Sequence, residues 1–328
     1  MRGDNKEEQM GNMRMVVFCT AAVVAGSVGA QTFPSKPIRI VTADPGGAFD
    51  FEARLISQGV SGSVGQQVIV ENRGGANGIL AGQTMTKSPP DGYSLLYYGS
   101  TVWLQPYMRD DVPYDPVKDF APITLAVISP GLIVVNPALP VNSVKTLIAL
   151  SKARPGALNY GTGGTGGANH LAAELFKLMA GVEIVRIPYK GAAAAVTDVI
   201  GGKLELMFPI MASAVPHVRS GRLKALAVTS AQRSTVLPEL PTVAESGLPG
   251  YEAVQMSGMF APARTPEAVI SRLNQEITAV LTKPENRQRL LNVGSEVIAS
   301  PPPQLATAMK ADMDRMSRVI KAAAIRSE

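Results

Sequence analysis

From Pro37 onward, short apolar runs alternate with stretches of helical period. Runs at 38–41, 68–70, 95–98, 132–135, 158–160, 184–187, 204–208 and 225–228 read as strands. Segments 51–59, 76–87, 144–153, 169–180, 192–200 and 212–220 read as helices. Such alternation predicts an α/β fold built around mostly parallel sheets. The last part is helical. One helix is predicted over 266–281, with Thr265 as its cap and Pro266 in its first turn. On the final helix, Leu305, Met309, Met313, Met316 and Ile320 form one apolar stripe, read as core packing. Two segments break the rhythm. Residues 115–140 show no clear helix between their apolar runs, and 223–253 is extended and rich in proline. Read as crossings, they divide the chain into two domains: 31–128 with 229–328, and 129–228.

The beginning of the chain differs from the rest. Residues 15–30 carry no charge, Arg14 precedes them, and Val28-Gly29-Ala30 is a small-residue cleavage pattern. This predicts a signal peptide at 1–30, cut after Ala30, and a periplasmic mature protein. Cys19 is the only cysteine and lies inside that segment, so the mature chain has no thiol chemistry. The net charge is +5 with scattered basic residues and 5% aromatics. A nucleic-acid partner would need a concentrated basic stripe. None is expected; mild attraction for anionic solutes is.

The stretch "YGTGGTGGANHLAAELF", 160–176, contains a literal G-x-G-x-x-G at Gly161, Gly163 and Gly166. A dinucleotide site would need an acid at the end of the next strand. That strand has Glu183 at its start and ends in "PYKG". A Walker pattern is also absent, and no cofactor is expected. What remains is physical: a glycine run before a helix exposes amide N–H groups at the positive end of the helix dipole. Such a run is either an anion seat or only a tight turn. A second one, "TADPGGAFDFEARLI" at 42–56, places Gly46-Gly47 between a strand and a helix of the other domain. Two such seats facing each other would clamp a small anion. Positive φ and close approach are expected at Gly47 and Gly163, so valine there should block binding. His170 and His217 have no neighbours at metal-ligand spacing, so no metal site is expected. His217 reads as helix packing. His170 reads equally as helix-start packing or as pocket lining.

The ordered stretches "PSKPIRIVTADPGGAFDFEARLI", "GQQVIVENRGG", "PPDGYSLL", "VPYDPVKDFAPITL", "LNYGTGGTGGANHLAAELFKLMAG", "IPYKGAAAAVTDVIGG", "LKALAVTSAQR", "LPTVAESGLPGYEA" and "FAPARTP" resemble the Bug receptors, solute-binding proteins of tripartite tricarboxylate transporters. The resemblance covers 31–328. It implies a two-domain periplasmic-binding-protein (Venus-flytrap) fold with two crossover segments. It also implies a small organic carboxylate in the interdomain cleft, delivery to the membrane components of such a transporter, and a monomer without cofactor. The ligand-binding residues it implies are Gly46, Gly47, Ala48, Phe49 and Asp50 on the first loop. On the second they are Thr162, Gly163, Gly166, Gly167, Asn169 and His170. Tyr98, Ser100, Tyr189, Pro209 and Met256 complete the expected site. The family pattern usually carries hydroxyls where Gly167 and Ala168 stand here, and Asp-Asn where Pro209-Ile210 stand. The expected wall is therefore apolar on one side.

Two other readings stay open. One is a secreted α/β enzyme acting on a carboxylate with His170 as acid or base, though no partner for that role is evident. The other is a receptor that feeds a sensor protein.

Overall fold

Each predicted apolar run becomes a strand, and the strands sort into two sheets. The computed structural model describes residues 33–326; the expected signal peptide, its cleavage site and Cys19 lie outside them. The first part of the chain runs β1 (Ile38–Thr42), α1 (Ala48–Val64), β2 (Val68–Asn72), α2 (Ile79–Thr86), β3 (Ser94–Gly99), α3 (Ser100–Met108) and β4 (Phe120–Pro130). The middle runs β5 (Leu132–Val135), α4 (Val144–Ala153), β6 (Asn159–Thr162), α5 (Ala168–Ala180), β7 (Val185–Pro188) and α6 (Ala192–Ile200). It continues through β8 (Leu206–Met207), α7 (Met211–Arg219) and β9 (Lys224–Val228). The chain ends with β10 (Val254–Pro262), α8 (Glu267–Leu281), α9 (Pro284–Asn292), β11 (Glu296–Val297) and α10 (Pro302–Ala322).

One sheet has the order β11-β4-β10-β3-β1-β2, the other β7-β6-β8-β5-β9. Both are mixed. β1 pairs in parallel with β2 and β3, and β6 with β7 and β8. The strands that carry the chain between sheets pair antiparallel: β10 with β3 and β4, β5 with β8 and β9. The expectation of mostly parallel sheets failed at these returning strands. The segment 115–140, expected as a crossing without a helix, contains β4, a strand of 11 residues interrupted by Pro122 and ending in Pro130. α3 follows β3 with no intervening loop, so nothing in the local pattern announced it. The helix expected from residue 266 starts at Glu267, and the Thr265 hydroxyl turns back to the Pro262 carbonyl (2.7 Å) instead of capping it.

The apolar faces meet in two clusters of buried side chains. The larger one holds both the edge-on pair Trp103 and Phe260 (6.0 Å between centroids) and the pair Tyr160 and Phe208 (6.4 Å); the smaller one gathers around Leu132, Val196 and Met207. The described residues from Lys36 onward form one compact unit that holds both sheets. α10 packs on β4, α3 and α5, so its apolar stripe is core, as its methionines predicted.

Both crossings are short. β4 passes into β5 through Gly131, and β9 passes into Thr229. The two are bonded to each other. The Gly131 N–H donates to Thr229 Oγ1 (2.8 Å), and the Thr229 N–H donates to the Gly131 carbonyl (2.9 Å). The Thr229 hydroxyl then donates to the Ala253 carbonyl just before β10 (2.6 Å). A Cβ on Gly131 would lie 2.9 Å from Thr229 Oγ1, which is why this position is glycine.

Candidate functional site

The two glycine loops follow the same course. Residues 41–50 and 161–170 share one secondary-structure pattern, from strand through turn into helix. Gly46 (φ 81°) matches Gly166 (φ 74°). Gly47 (φ −84°, ψ 175°) matches Gly167 (φ −70°, ψ 164°), each an extended residue at a helix start with no side-chain cap. The third helical residue closes each loop. The Gly46 N–H donates to Asp50 Oδ2 (3.0 Å), and the Gly166 N–H donates to His170 Nδ1 (3.0 Å). These side chains face the loops from inside and are 5% and 3% exposed. The positive φ expected at Gly47 and Gly163 falls instead at Gly46 and Gly166.

This geometry fixes the electrostatics. Asp50 also accepts from Arg54 (3.0 Å) and Asn72 (2.8 Å), and these donors hold its pKa down at about 2. It is a permanent internal anion beside the α1 N-terminus, where the helix dipole favours it. His170 Nδ1 takes an N–H, so that nitrogen carries no proton; Nε2 lies 3.9 Å from Glu174 Oε1. Burial, with Arg186 close by, lowers its pKa to about 4. A neutral, occupied imidazole is poorly placed to act as a general base. Behind the second loop, Arg186 Nε donates to Thr162 Oγ1 (2.9 Å) and its NH2 to Thr165 Oγ1 (3.0 Å). Among the described residues, Arg186 has no carboxylate within ion-pair distance. It stiffens the loop stem and sets a positive charge behind it.

The two loops meet at one chamber. Phe49 reaches it from the first loop, Gly166 and Ala168 from the second, and Ser100 from the start of α3. Met256 sits beside this group, its N–H on Ser100 Oγ (3.3 Å). Tyr98 lies under the Phe49 ring (5.0 Å), and burial with Asp44 nearby raises its pKa to about 12. A Cβ on Gly166 would lie 2.3 Å from Met108 Sδ at the end of α3, so the second loop packs on α3 without side-chain clearance. The remaining expected residues stand apart from the chamber lining. Thr162 is buried under Arg186, the Tyr189 hydroxyl donates to Asp198 (2.8 Å), and the Pro209 carbonyl accepts from Leu132 (2.9 Å). His170 borders a separate open groove between α5 and the end of α10. Thr101 and Asp312, which also line the chamber, gave no signal in the sequence because neither belongs to a glycine loop.

Residues 52–325 match the family model of the tripartite tricarboxylate transporter family receptor. The chain belongs to this family. The receptor is 35% identical to protein BugT of Bordetella pertussis over 308 residues, covering 93% of this chain and 94% of the relative. It superposes on the solved structure of R. palustris Rpa4515 with adipate with a TM-score of 0.77 at 34% identity, covering 90% of this chain and all (100%) of that one. MatC from Rhodopseudomonas palustris with bound malate gives 0.73 at 28% identity, covering 88% of this chain and 100% of that one. The receptor thus has the solute-binding fold of its family, a family that is not an enzyme class. Among its described residues, no helix is long and apolar enough to cross a membrane, and no cluster of potential metal ligands occurs. The chamber where its loops meet has largely apolar walls, and Arg186 backs the stem of the second loop. That equipment suits capture of an anion.

Proposed function

We propose that this receptor captures a small organic carboxylate between its two glycine loops and hands it to the membrane components of a tripartite tricarboxylate transporter. The observation that carries the reading is the matched pair of clamped loops. Asp50 and His170 tie back the Gly46 and Gly166 amides, and the helix starts that follow, α1 and α5, carry no side-chain cap. Two relatives bear adipate and malate, which favours carboxylate chemistry for this chain too. The carboxylate is held mainly by backbone, with Arg186 adding charge from behind. The protein works as a monomer of two bodies, 31–128 with 229–328 and 129–228, that close over the ligand. It is exported to the periplasm and cut after Ala30.

Proline tests the backbone contacts directly. Ala48 and Ala168 are the first residues of α1 and α5, and the preceding glycines have extended ψ of 175° and 164°. Proline suits that position and removes only an N–H without a helical partner. Ala48→Pro and Ala168→Pro should each fold normally. Each should lose about tenfold to a hundredfold in carboxylate affinity by isothermal titration, the worth of a charge-assisted hydrogen bond. Binding without turnover of the acid is the expected behaviour of the unaltered protein. Undiminished affinity in both variants would show that the amides are not the seat.

A further inference from the structure

We propose that the groove between α5 and the end of α10 is a second anion site, where Arg186, Lys177 and the Nε2–H of His170 hold a small oxyanion of the phosphate or sulfate class. The groove has a volume of about 730 Å³ and shares no lining residue with the chamber. Thr165, Arg186 and one face of α5 form one bank. The end of α10 and the residues just after it form the other. There the carbonyls of Val319, Ile320 and Lys321 already accept from Ala323, Ile325 and Ala324, which leaves mostly apolar side chains on that side.

The first bank carries donors without acceptors. His170 is 3% exposed, and its Nδ1 accepts the Gly166 N–H, so the proton sits on Nε2. Glu174 Oε1 lies 3.9 Å from Nε2, beyond hydrogen-bond reach. Buried N–H groups are almost always paired, so this one is open to an acceptor that arrives in the groove. Only some of the Arg186 donors are spent, Nε on the Thr162 hydroxyl and NH2 on the Thr165 hydroxyl.

The charges facing the imidazole do not balance. On α5, Glu174 and Lys177 pair with each other (2.9 Å), and the Tyr160 hydroxyl also donates to Glu174. Beyond α10, Arg326 reaches Asp110 at the surface (3.3 Å). β7 adds Arg186, which no carboxylate among the described residues offsets. Burial and this positive field keep His170 neutral, with a pKa of about 4. An oxyanion supplies what is missing. Its oxygens accept from His170 Nε2 and from the free edge of the guanidinium, whose planar fork suits two oxygens at once. Its charge offsets Arg186.

Heteronuclear NMR of the imidazole, guanidinium and ammonium groups tests this at neutral pH and constant ionic strength, with inorganic phosphate or sulfate exchanged for chloride. The His170 Nε2–H signal should shift to saturation with either oxyanion, together with the Arg186 and Lys177 side-chain signals, while His217 stays still. Sulfate keeps its charge in acid, and bound sulfate should raise the pKa of His170, because an anion favours the protonated form. Arg186→Gln should weaken phosphate binding about tenfold or more, the worth of a charge-assisted hydrogen bond. It also removes two bonds to the loop stem, so Lys177→Gln is the second variant. That change leaves the stem intact and should weaken phosphate about threefold. An equal response to chloride would overturn the proposal, and so would full affinity in both variants. Shifts centred on the Ala48 and Ala168 amides would place the anion on the glycine loops and overturn it too. The titration needs no carboxylate, so its outcome is separate from that of the reading above.

Discussion

Acidification should loosen the second glycine loop, by an amount that His170 sets. Its Nδ1 holds the Gly166 N–H only while it carries no proton. Burial, with Arg186 and Lys177 nearby, lowers its pKa from 6.5 to about 4. Between those values the unfolded chain takes up a proton that the folded chain refuses. The contribution is therefore complete above pH 6.5 and is lost as the pH falls through the window. The loss amounts to at most about 3 kcal/mol. Asp312 acts with the opposite sign. Burial raises its pKa from 3.8 to about 6, so across that interval the folded chain binds the extra proton and stability grows as pH falls. The gain is again about 3 kcal/mol at most. The two contributions nearly cancel each other between about pH 6 and about pH 4. Glu52, also raised by burial, adds to the Asp312 side but is common to every variant and drops out of differences. Urea unfolding across this range reads each contribution. His170→Gln retains an acceptor and cannot titrate, so it should gain stability as pH falls. Asp312→Asn should lose it steeply. If His170→Gln ran parallel to the unaltered protein throughout the window, the imidazole would not be the neutral clamp its geometry indicates.

Two further outcomes can be checked by the same denaturation. Gly46→Ala and Gly166→Ala both place alanine at positive φ, worth about 1–2 kcal/mol. Only Gly166→Ala also meets Met108, so it should cost more, and Met108→Ala should recover the excess; equal costs would mean that the loop and α3 are not in contact. Asp50→Asn should lose about 1–2 kcal/mol by removing charge from the Arg54 bond, and Asp50→Ala about 3 kcal/mol by also stranding the Gly46 N–H. Asp50→Ala as mild as Asp50→Asn would show that the clamp does not hold the first loop.

The sequence made the glycine loops legible because punctuation and helix start fall together there. Alternation placed eight strands, and α4 and α6 at their observed bounds. It did not separate the two kinds of glycine inside a loop. Gly46 and Gly47 look alike as letters, yet only the former adopts positive φ and only the latter extends into the helix. The resemblance implied Asp50 and His170 as ligand contacts, and position alone left His170 open between packing and pocket lining. A helix turns its third residue back over the preceding turn, and that brings these side chains inside. Asp312 and Thr101 were invisible for another reason. They reach the chamber from α10 and α3, and only tertiary packing brings those helices to the loops.

The bonded pair of crossings has a mechanical consequence. Two separate connectors would each bend on its own, and the bodies they join would have several independent ways to move. Here Thr229 grips Gly131 from both its amide and its hydroxyl, and passes the same hydroxyl on to Ala253. Rotation at one connector must drag the other. If the two bodies close on a ligand as proposed, this coupling makes the two connectors turn together, like a door on a single pin.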